Sequence, residues 1–91
     1  MRLQWTRAFT KDYRKLPQHI QKQVDQKLGF LLEDYRHGSL RTKKLQGSIR
    51  GQDVKDLYEI SVTMSYRIFY KQEGDTYTLL RVGSHDEILG R

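Results

Sequence analysis

The sequence contains no cysteine, so it offers neither a disulfide framework nor a thiolate ligand for a metal. No apolar run approaches the roughly 18 residues that a membrane-spanning helix requires. The first seven residues, Met1 to Arg7, hold no apolar stretch of the kind that a secretory signal needs. We therefore expect a cytoplasmic protein with no membrane partner.

The motifs of several enzyme classes are also missing. The sequence has no P-loop, no GxGxxG, no HExxH, and no convincing serine triad or pair of carboxylates. Its three histidines lie far apart along the chain and have no cysteine beside them. We expect a protein that needs neither a metal nor another cofactor.

Positive charge is what the sequence does have. Lysine and arginine number 17 against 11 acidic residues, which gives a net charge of +6 and a pI near 9.7. A chain of 91 residues buries roughly 65% of its unfolded surface, so we expect residues 1–91 to form a single domain. The charge indicates an anionic partner, which could be nucleic acid, an acidic protein or an anionic membrane, although a basic surface can also serve solubility alone.

Hydrophobic periodicity predicts one strand followed by two helices. Alternation over residues 1–6 indicates a short strand, and Thr6 is a suitable N-cap for a helix. Pro17 should separate this helix from a second one, which should end at Gly38. The apolar face of the first helix comprises Phe9, Tyr13 and Leu16, and that of the second comprises Ile20, Val24, Leu28, Leu31, Leu32 and Tyr35.

The second half of the chain predicts a sheet. Residues 38–55 lack periodicity and indicate a basic loop, after which residues alternate with period two in segments 58–62 and 66–70, and β-favouring residues indicate a last strand at 77–82. The order β-α-α-β-β-β predicts an α+β fold, in which an N-terminal helical hairpin packs on a twisted, mainly antiparallel sheet. We expect the other sheet face to be open, so that it forms a ligand groove beside the basic loop.

Two arginines of the last hairpin are candidates for binding an anion. A three-residue turn centred on Gly74 would place Arg67 directly opposite Arg81. Two adjacent guanidinium groups repel each other, and an anion bound between them would remove that repulsion. Alternatively, each arginine forms an ion pair with an acidic side chain, for which the candidates are Glu59, Asp86 and Glu87.

His85 is the candidate for proton transfer, because histidine changes charge near neutral pH. It follows the last strand, where Gly83 and Ser84 let the chain turn. A lone histidine in a loop is more often simply solvated. Among the aromatic residues, Tyr58 and Tyr66 are candidates for stacking on bases, although packing in the core is the more common role.

The sequence resembles the RelE/ParE toxin superfamily of bacterial toxin–antitoxin systems over nearly its whole length. The resemblance lies in the element order and in four segments, which are Lys44-Leu45-Gln46-Gly47, Leu57-Tyr58-Glu59-Ile60, Tyr66-Arg67-Ile68-Phe69-Tyr70 and Leu80-Arg81-Val82-Gly83-Ser84-His85. The first and last of these are most similar to the YafQ-like branch. The resemblance implies a RelE-like fold and a ribosome-dependent mRNA interferase that a cognate antitoxin neutralises.

The resemblance also implies roles for individual residues. Arg67 and Arg81 would stabilise charge on the phosphate while the ribose 2′-OH attacks it, and His85 would act as general acid or base. Lys43 or Lys44 would hold the phosphate or share in proton transfer. The remaining substrate-binding candidates are Arg50, Lys55 and Tyr66. An acidic, partly disordered antitoxin segment would wrap the toxin, and mRNA with the ribosome would be the target.

Two departures from the family pattern affect this mechanism. Leu89 stands where many relatives carry an aromatic residue, and Glu59 stands where ribosome-dependent relatives often carry a basic one. A ParE-like toxin that poisons DNA gyrase without nuclease chemistry is therefore an alternative, as is a basic RNA-binding module. The combination of His85 with Arg67 and Arg81 favours the nuclease.

Overall fold

Alternating residues at the N-terminus form the first strand, β1 (Arg2–Trp5), and Thr6 ends this extended segment. In the computed structural model, which describes residues 1–46, 48–49 and 52–89, helix α1 follows at Arg7–Arg14. The hydroxyl of Thr6 accepts a hydrogen bond from the Phe9 N–H at 3.2 Å, as an N-cap does. Pro17 directly precedes helix α2 (Gln18–Glu33). Both predicted helix starts are therefore confirmed.

The end of α2 differs from the prediction. The helix stops at Glu33, because Asp34 has an extended backbone and its side chain accepts a hydrogen bond from the Arg36 N–H at 2.9 Å. Leu32 and Tyr35 are consequently exposed by 42% and 44% instead of continuing the buried face. A short 3-10 turn, Gly38–Leu40, follows, and its fully buried Leu40 anchors the connection to the core.

The segment predicted to be a basic loop contains further strands. Strand β2 (Lys43–Leu45) pairs antiparallel with β5 (Leu57–Ser61), and the short strands β3 (Ser48–Ile49) and β4 (Gln52–Asp53) form a separate hairpin. The candidate residue Arg50 lies outside the described residues. The basic segment thus adds an edge strand to the sheet.

Strands β6 (Arg67–Glu73) and β7 (Thr76–Gly83) complete the main sheet, and the chain continues into helix α3 (His85–Leu89). The strand order is β1-β7-β6-β5-β2, with β1 parallel to β7 and the other neighbours antiparallel. The predicted α+β class, with a helical hairpin on a mainly antiparallel sheet, is confirmed.

Both faces of this sheet carry a hydrophobic cluster. On the first face, α1 and α2 pack their apolar residues against buried side chains of β5, β6 and β7. On the second face, Leu57 and Phe69 pack with Ile88 of α3, and the partly buried residues around them include Leu45 and Leu80. The expectation of an open second face is therefore wrong, because the C-terminal helix covers part of it.

The register of the β6–β7 hairpin also differs from the prediction. The turn has two residues, Gly74 and Asp75, between the paired Glu73 and Thr76, and Gly74 adopts a φ of +59° that glycine tolerates. An irregularity between Phe69 and Tyr70 then leaves Leu80 unpaired, so that Phe69 faces Arg81 and Arg67 faces Gly83. The predicted direct pairing of Arg67 with Arg81 is wrong, and the two arginines are offset along the hairpin.

Candidate active site

The turn from β7 into α3 fixes the position of His85, the first residue of the helix. The Ser84 hydroxyl accepts a hydrogen bond from the Glu87 N–H at 3.1 Å, and the Ser84 N–H donates to the Glu87 carboxylate at 3.3 Å. This reciprocal pair is a capping box. Gly83 lies close beside it, because a Cβ there would lie 2.7 Å from Oε1 of Glu87 and would displace this carboxylate.

His85 faces a buried carboxylate. Its Nε2 lies 3.6 Å from Oε2 of Glu59, and the side chains are exposed by 40% and 9% respectively. That Oε2 is buried without a hydrogen-bond partner among the described residues. A carboxylate in this position can orient an imidazole for proton transfer, while the exposed part of the ring remains accessible to a substrate.

A row of paired residues crosses the second sheet face at Glu59. Lys43 of β2 is the direct neighbour of Glu59, which in turn pairs with Phe69 of β6, and Phe69 pairs with Arg81 of β7. The ring centroid of Phe69 lies 6.1 Å from that of His85. The row therefore brings a lysine, a carboxylate and an aromatic ring to the side of the sheet where His85 lies.

Arg81 forms an ion pair with a residue that the sequence analysis did not single out. Its Nε and Nη2 donate to the two carboxylate oxygens of Asp12 at 2.6 and 3.0 Å, and the Val82 N–H donates to the same carboxylate at 3.1 Å. The hydrogen bond to Asp12 raises the pKa of the Arg81 guanidinium above its ordinary value, against the opposing effect of burial. The guanidinium of Arg81 is therefore already engaged.

Arg67 is held differently, by backbone carbonyl groups. Its Nη1 donates to the carbonyl of Thr63 and, at 3.1 Å, to that of Tyr66. No described carboxylate lies within 4.0 Å of this guanidinium. Because neutral carbonyls leave its positive charge uncompensated, Arg67 remains able to bind an anion.

The other candidates are distributed around the edge of the sheet. Lys44 pairs with Tyr58, whose ring packs on the first cluster, so alternation places Lys44 on the face opposite Lys43 and Glu59. Its Nζ lies 3.6 Å from Asp56. Lys55 is exposed in the turn before β5, and Tyr66 is partly buried against the first cluster. The structure thus brings Lys43, but not Lys44 or Tyr66, to the side of Glu59.

Glu59 was considered from the sequence as an ion-pair partner of the arginines and as a departure from the family pattern, but its contact with His85 was not predicted. It alternates with Tyr58 and Ile60 on the sheet face that was expected to be open, whereas the second cluster buries this face of β5. A signal was present in the sequence, since a carboxylate stands between two β-favouring residues at a position where the resembling toxins often carry a basic residue.

A model of the family described as the ParE toxin of the type II toxin–antitoxin system parDE matches residues 3–89 of this sequence. The chain belongs to this toxin family. The resemblance to the RelE/ParE superfamily is thereby confirmed. A search of curated protein sequences gave no match.

Solved structures of related toxins share the fold of this family member. The intact RelBE toxin–antitoxin complex of E. coli matches with 27% identity and a TM-score of 0.67 over 90% of this chain and 93% of that one. The RelB–RelE complex of Methanococcus jannaschii matches with 24% identity and a TM-score of 0.71 over 91% of each chain. YafQ of E. coli strain BL21(DE3) matches with 15% identity and a TM-score of 0.75 over 93% of each chain.

None of the helices that the structure describes is long and apolar enough to cross a membrane. In the same described residues, no group of three or more histidine or acidic side chains is arranged to hold a metal ion.

Proposed function

We propose that this chain is an mRNA interferase, an endoribonuclease that inhibits translation in the cytoplasm and acts as the toxin of its type II pair. The observation that carries the proposal is the placement of Nε2 of the half-exposed His85 at 3.6 Å from the buried carboxylate of Glu59. Lys43 and Arg67 lie on the same sheet face as Glu59, where each could contact a phosphate.

The cleavage would proceed through the 2′-OH of the ribose. This oxygen attacks the adjacent phosphorus as it loses its proton to a base, the bond from phosphorus to the 5′ oxygen breaks, and an acid protonates that leaving oxygen. His85 carries one of these two proton transfers, and Glu59 acts as the positioning residue that orients its ring. Lys43 and Arg67 stabilise the negative charge that develops on the phosphate oxygens.

Arg81 has a reduced part in this mechanism. Its bidentate contact with Asp12 neutralises the guanidinium and ties α1 to β7. We therefore assign it to holding the site together, in contrast to the phosphate-binding role that the resemblance implies. Lys44 is likewise assigned to the opposite face. Lys55, Tyr66 and Arg50 remain candidates for contacts with RNA outside the reacting phosphate.

A cognate antitoxin would be the second partner. The related RelE structures of E. coli and Methanococcus jannaschii are complexes with RelB antitoxins, and the net charge of +6 suits an acidic segment that wraps the toxin. We expect the affinity of the toxin for its antitoxin to fall as salt is raised from 50 to 500 mM, because the Debye length then shrinks to a few ångströms and the charges are screened.

The test of this function is induction of the chain in a bacterial host, followed by mapping of mRNA 5′ ends. We expect new ends within translated frames for the wild type and for the control His19→Ala, whose histidine is exposed on α2. These ends should disappear with His85→Ala. Growth arrest with intact mRNA would contradict the proposal.

A gyrase poison is the second candidate, and one observation favours it. Because Arg81 is bound to Asp12, the cation cluster around the proposed phosphate site is smaller than the sequence indicated. The family model that matches is also that of the ParE toxin. In this case the induced cells would accumulate gyrase-dependent DNA breaks, and His85→Ala would leave them unchanged.

A further inference from the structure

A groove lined by cations runs across the 3-10 turn, at the end of the sheet where Arg67 lies. It consists of two clefts, of about 330 and 430 Å³, that share Arg41. The first lies between α2, the turn and the β5–β6 loop, and the second continues towards β2. We call this surface the basic groove, and its cations are Lys27, Arg36, Arg41, Lys44 and Arg67. No acidic side chain of the described residues lines either cleft.

Arg41 occupies the centre of the basic groove in an unfavourable backbone conformation. Its φ and ψ are 48° and 49°, in the left-handed region where glycine is preferred and arginine is not. Its side chain is exposed and makes no ion pair with the described side chains. This conformation ends the 3-10 turn, where the Arg41 N–H donates to the Gly38 carbonyl at 3.4 Å. Any residue with an αL backbone could end the turn in this way, so the turn does not explain the uncompensated charge, which points to a binding role.

The other cations of the groove are partly compensated from outside it. Arg36 lies 3.4 Å from Asp34 and Lys44 lies 3.6 Å from Asp56, but neither of these carboxylates lines the clefts. Lys27 donates to the carbonyl of Ser39 at 3.2 Å. These ion pairs and this hydrogen bond therefore hold the charged groups of Arg36, Lys44 and Lys27 at the groove.

Aromatic rings accompany the cations. Tyr35 is exposed by 44% and lines the second cleft together with Tyr58, whose ring stacks on Tyr70 at a centroid distance of 5.4 Å. Cations together with aromatic rings suit a single-stranded nucleic acid, since its phosphates bind to the cations and its bases stack on the rings.

We propose that the basic groove binds the phosphate backbone of single-stranded RNA on one side of the cleaved phosphate. This inference rests on the proposed function. Arg67 lies where the two surfaces meet, because its register position on β6 is on the Glu59 side of the sheet and its side chain lines the first cleft. An RNA strand that passes Arg67 can therefore continue past Arg41 towards Tyr35 and Lys44.

The test measures binding of an uncleavable RNA, a 2′-O-methyl oligonucleotide of about 12 nucleotides, which lies within the site sizes of single-strand binders. The variant is Arg41→Gly, which removes the cation and relieves the left-handed strain, so that it remains folded. The matched control is Asp56→Gly, which relieves the strain of the other non-glycine residue with positive φ (54°) in the described chain and removes an acid instead.

We expect Arg41→Gly to raise the dissociation constant about fivefold at 0.1 M salt and to lower the slope of log K against log[salt] by about 0.7, the value for one phosphate contact on a single strand. The double variant Lys27→Ala/Arg41→Gly should weaken binding about 25-fold. Asp56→Gly should bind at least as tightly as the wild type.

Two results would overturn the proposal. One is an unchanged affinity and salt slope for Arg41→Gly. The other is a loss of RNA affinity in Lys11→Ala/Arg14→Ala that equals the loss in Lys27→Ala/Arg41→Gly. Lys11 and Arg14 are exposed cations of α1, so equal losses would mean that binding depends on the net charge alone. The function is tested separately, since loss of cleavage in His85→Ala with unchanged binding in Arg41→Gly would remove the groove and retain the nuclease. Binding that depends on the groove, without any cleavage of mRNA, would retain the groove and remove the nuclease.

Discussion

The carboxylate of Asp12 joins the first helix to the last strand of the sheet. It accepts three hydrogen bonds, two from the Arg81 guanidinium and one from the Val82 N–H. The side chain of Arg81 is exposed by only 26% and that of Asp12 by 15%. The Val82 N–H lies beyond the part of β7 that pairs with β1. Asp12 thus completes the hydrogen bonding of β7 where its partner strand has ended.

Replacing this carboxylate should destabilise the protein. We expect Asp12→Ala to lower the free energy of unfolding by about 2–4 kcal/mol, because it leaves the partly buried Arg81 without its counterion. Urea denaturation measures the effect. Asp25→Ala is the control, since Asp25 is exposed and accepts one hydrogen bond from Tyr13, and it should lose less than about 1 kcal/mol. Equal losses for the two variants would contradict the role given to Asp12.

Single residues of the site could be predicted only in part. His85 was a candidate because of its chemistry and its place after the last strand, and the structure places it 3.6 Å from the carboxylate of Glu59, while its role in proton transfer stays a prediction. Asp12 could not be foreseen, because 69 positions separate it from Arg81 and no periodicity relates a helix surface to a strand end. Glu59 was hidden for a similar reason, since burial of the second sheet face depends on where α3 packs.

Helix α3 is the element on which the position of His85 depends. It has five residues, too few to be stable alone, so its first turn relies on the capping box and on the burial of Ile88. Because His85 is the first helical residue, any fraying of this turn moves the imidazole away from Glu59.

The capping box can be tested by hydrogen exchange. The Ile88 N–H donates to the carbonyl of Ser84 at 3.1 Å, and loss of the Ser84 hydroxyl should weaken this turn by about 1 kcal/mol. We therefore expect the Ile88 amide of Ser84→Ala to exchange about fivefold faster, whereas Ser84→Asp retains protection because aspartate also caps helices. Unchanged exchange in Ser84→Ala would show that Ile88 packing alone holds α3.

Elements were predictable where the hydrophobic period was long. The buried face of α2, with Ile20, Val24, Leu28 and Leu31, appeared as predicted, but the helix end did not, because a local side-chain turn at Asp34 competes with it. Strand β2 was missed since Lys43-Lys44-Leu45 offers a single apolar residue. The predicted register of the hairpin was wrong because Leu80 is unpaired. A bulge of this kind cannot be recognised from the alternation of residues before it.

The hydrophobic core of the molecule includes two buried tyrosines, Tyr70 and Tyr77. Burial raises the pKa of the Tyr70 phenol well above its ordinary value, and the neighbouring Tyr77 and Tyr58 act in the same direction. The unfolded chain ionises this phenol near pH 10, whereas the native protein keeps it protonated. Since the unfolded state then binds fewer protons, stability falls as pH rises above about 10.

Alkaline unfolding measures this effect. Above pH 10, the buried Tyr70 phenol should lower the free energy of unfolding of the wild type by up to about 1.4 kcal/mol for each pH unit. Tyr70→Phe should show a shallower fall, and what remains comes from groups such as Tyr77, whose pKa burial also raises. Identical slopes for wild type and variant would contradict the burial of the ionisable phenol.

Fold and charge together separate two tasks on this small domain. The second sheet face holds His85 beside Glu59, to which we assign proton transfer, and the basic groove beside the 3-10 turn holds the cations and rings that we propose bind a strand of RNA. The net charge of +6 indicated an anionic partner from the sequence alone, but the path of that partner depends on the turn at Arg41, whose left-handed backbone has no sequence signature.

The most direct test of the nuclease is the rate at which the purified protein cleaves mRNA on programmed ribosomes. We predict that His85→Ala lowers the single-turnover rate by about 100-fold or more and that Glu59→Gln lowers it too, although this variant retains or gains stability by removing a buried charge without a hydrogen-bond partner. His19→Ala should cleave at the wild-type rate. Full activity of His85→Ala, with its fold intact, would contradict the account.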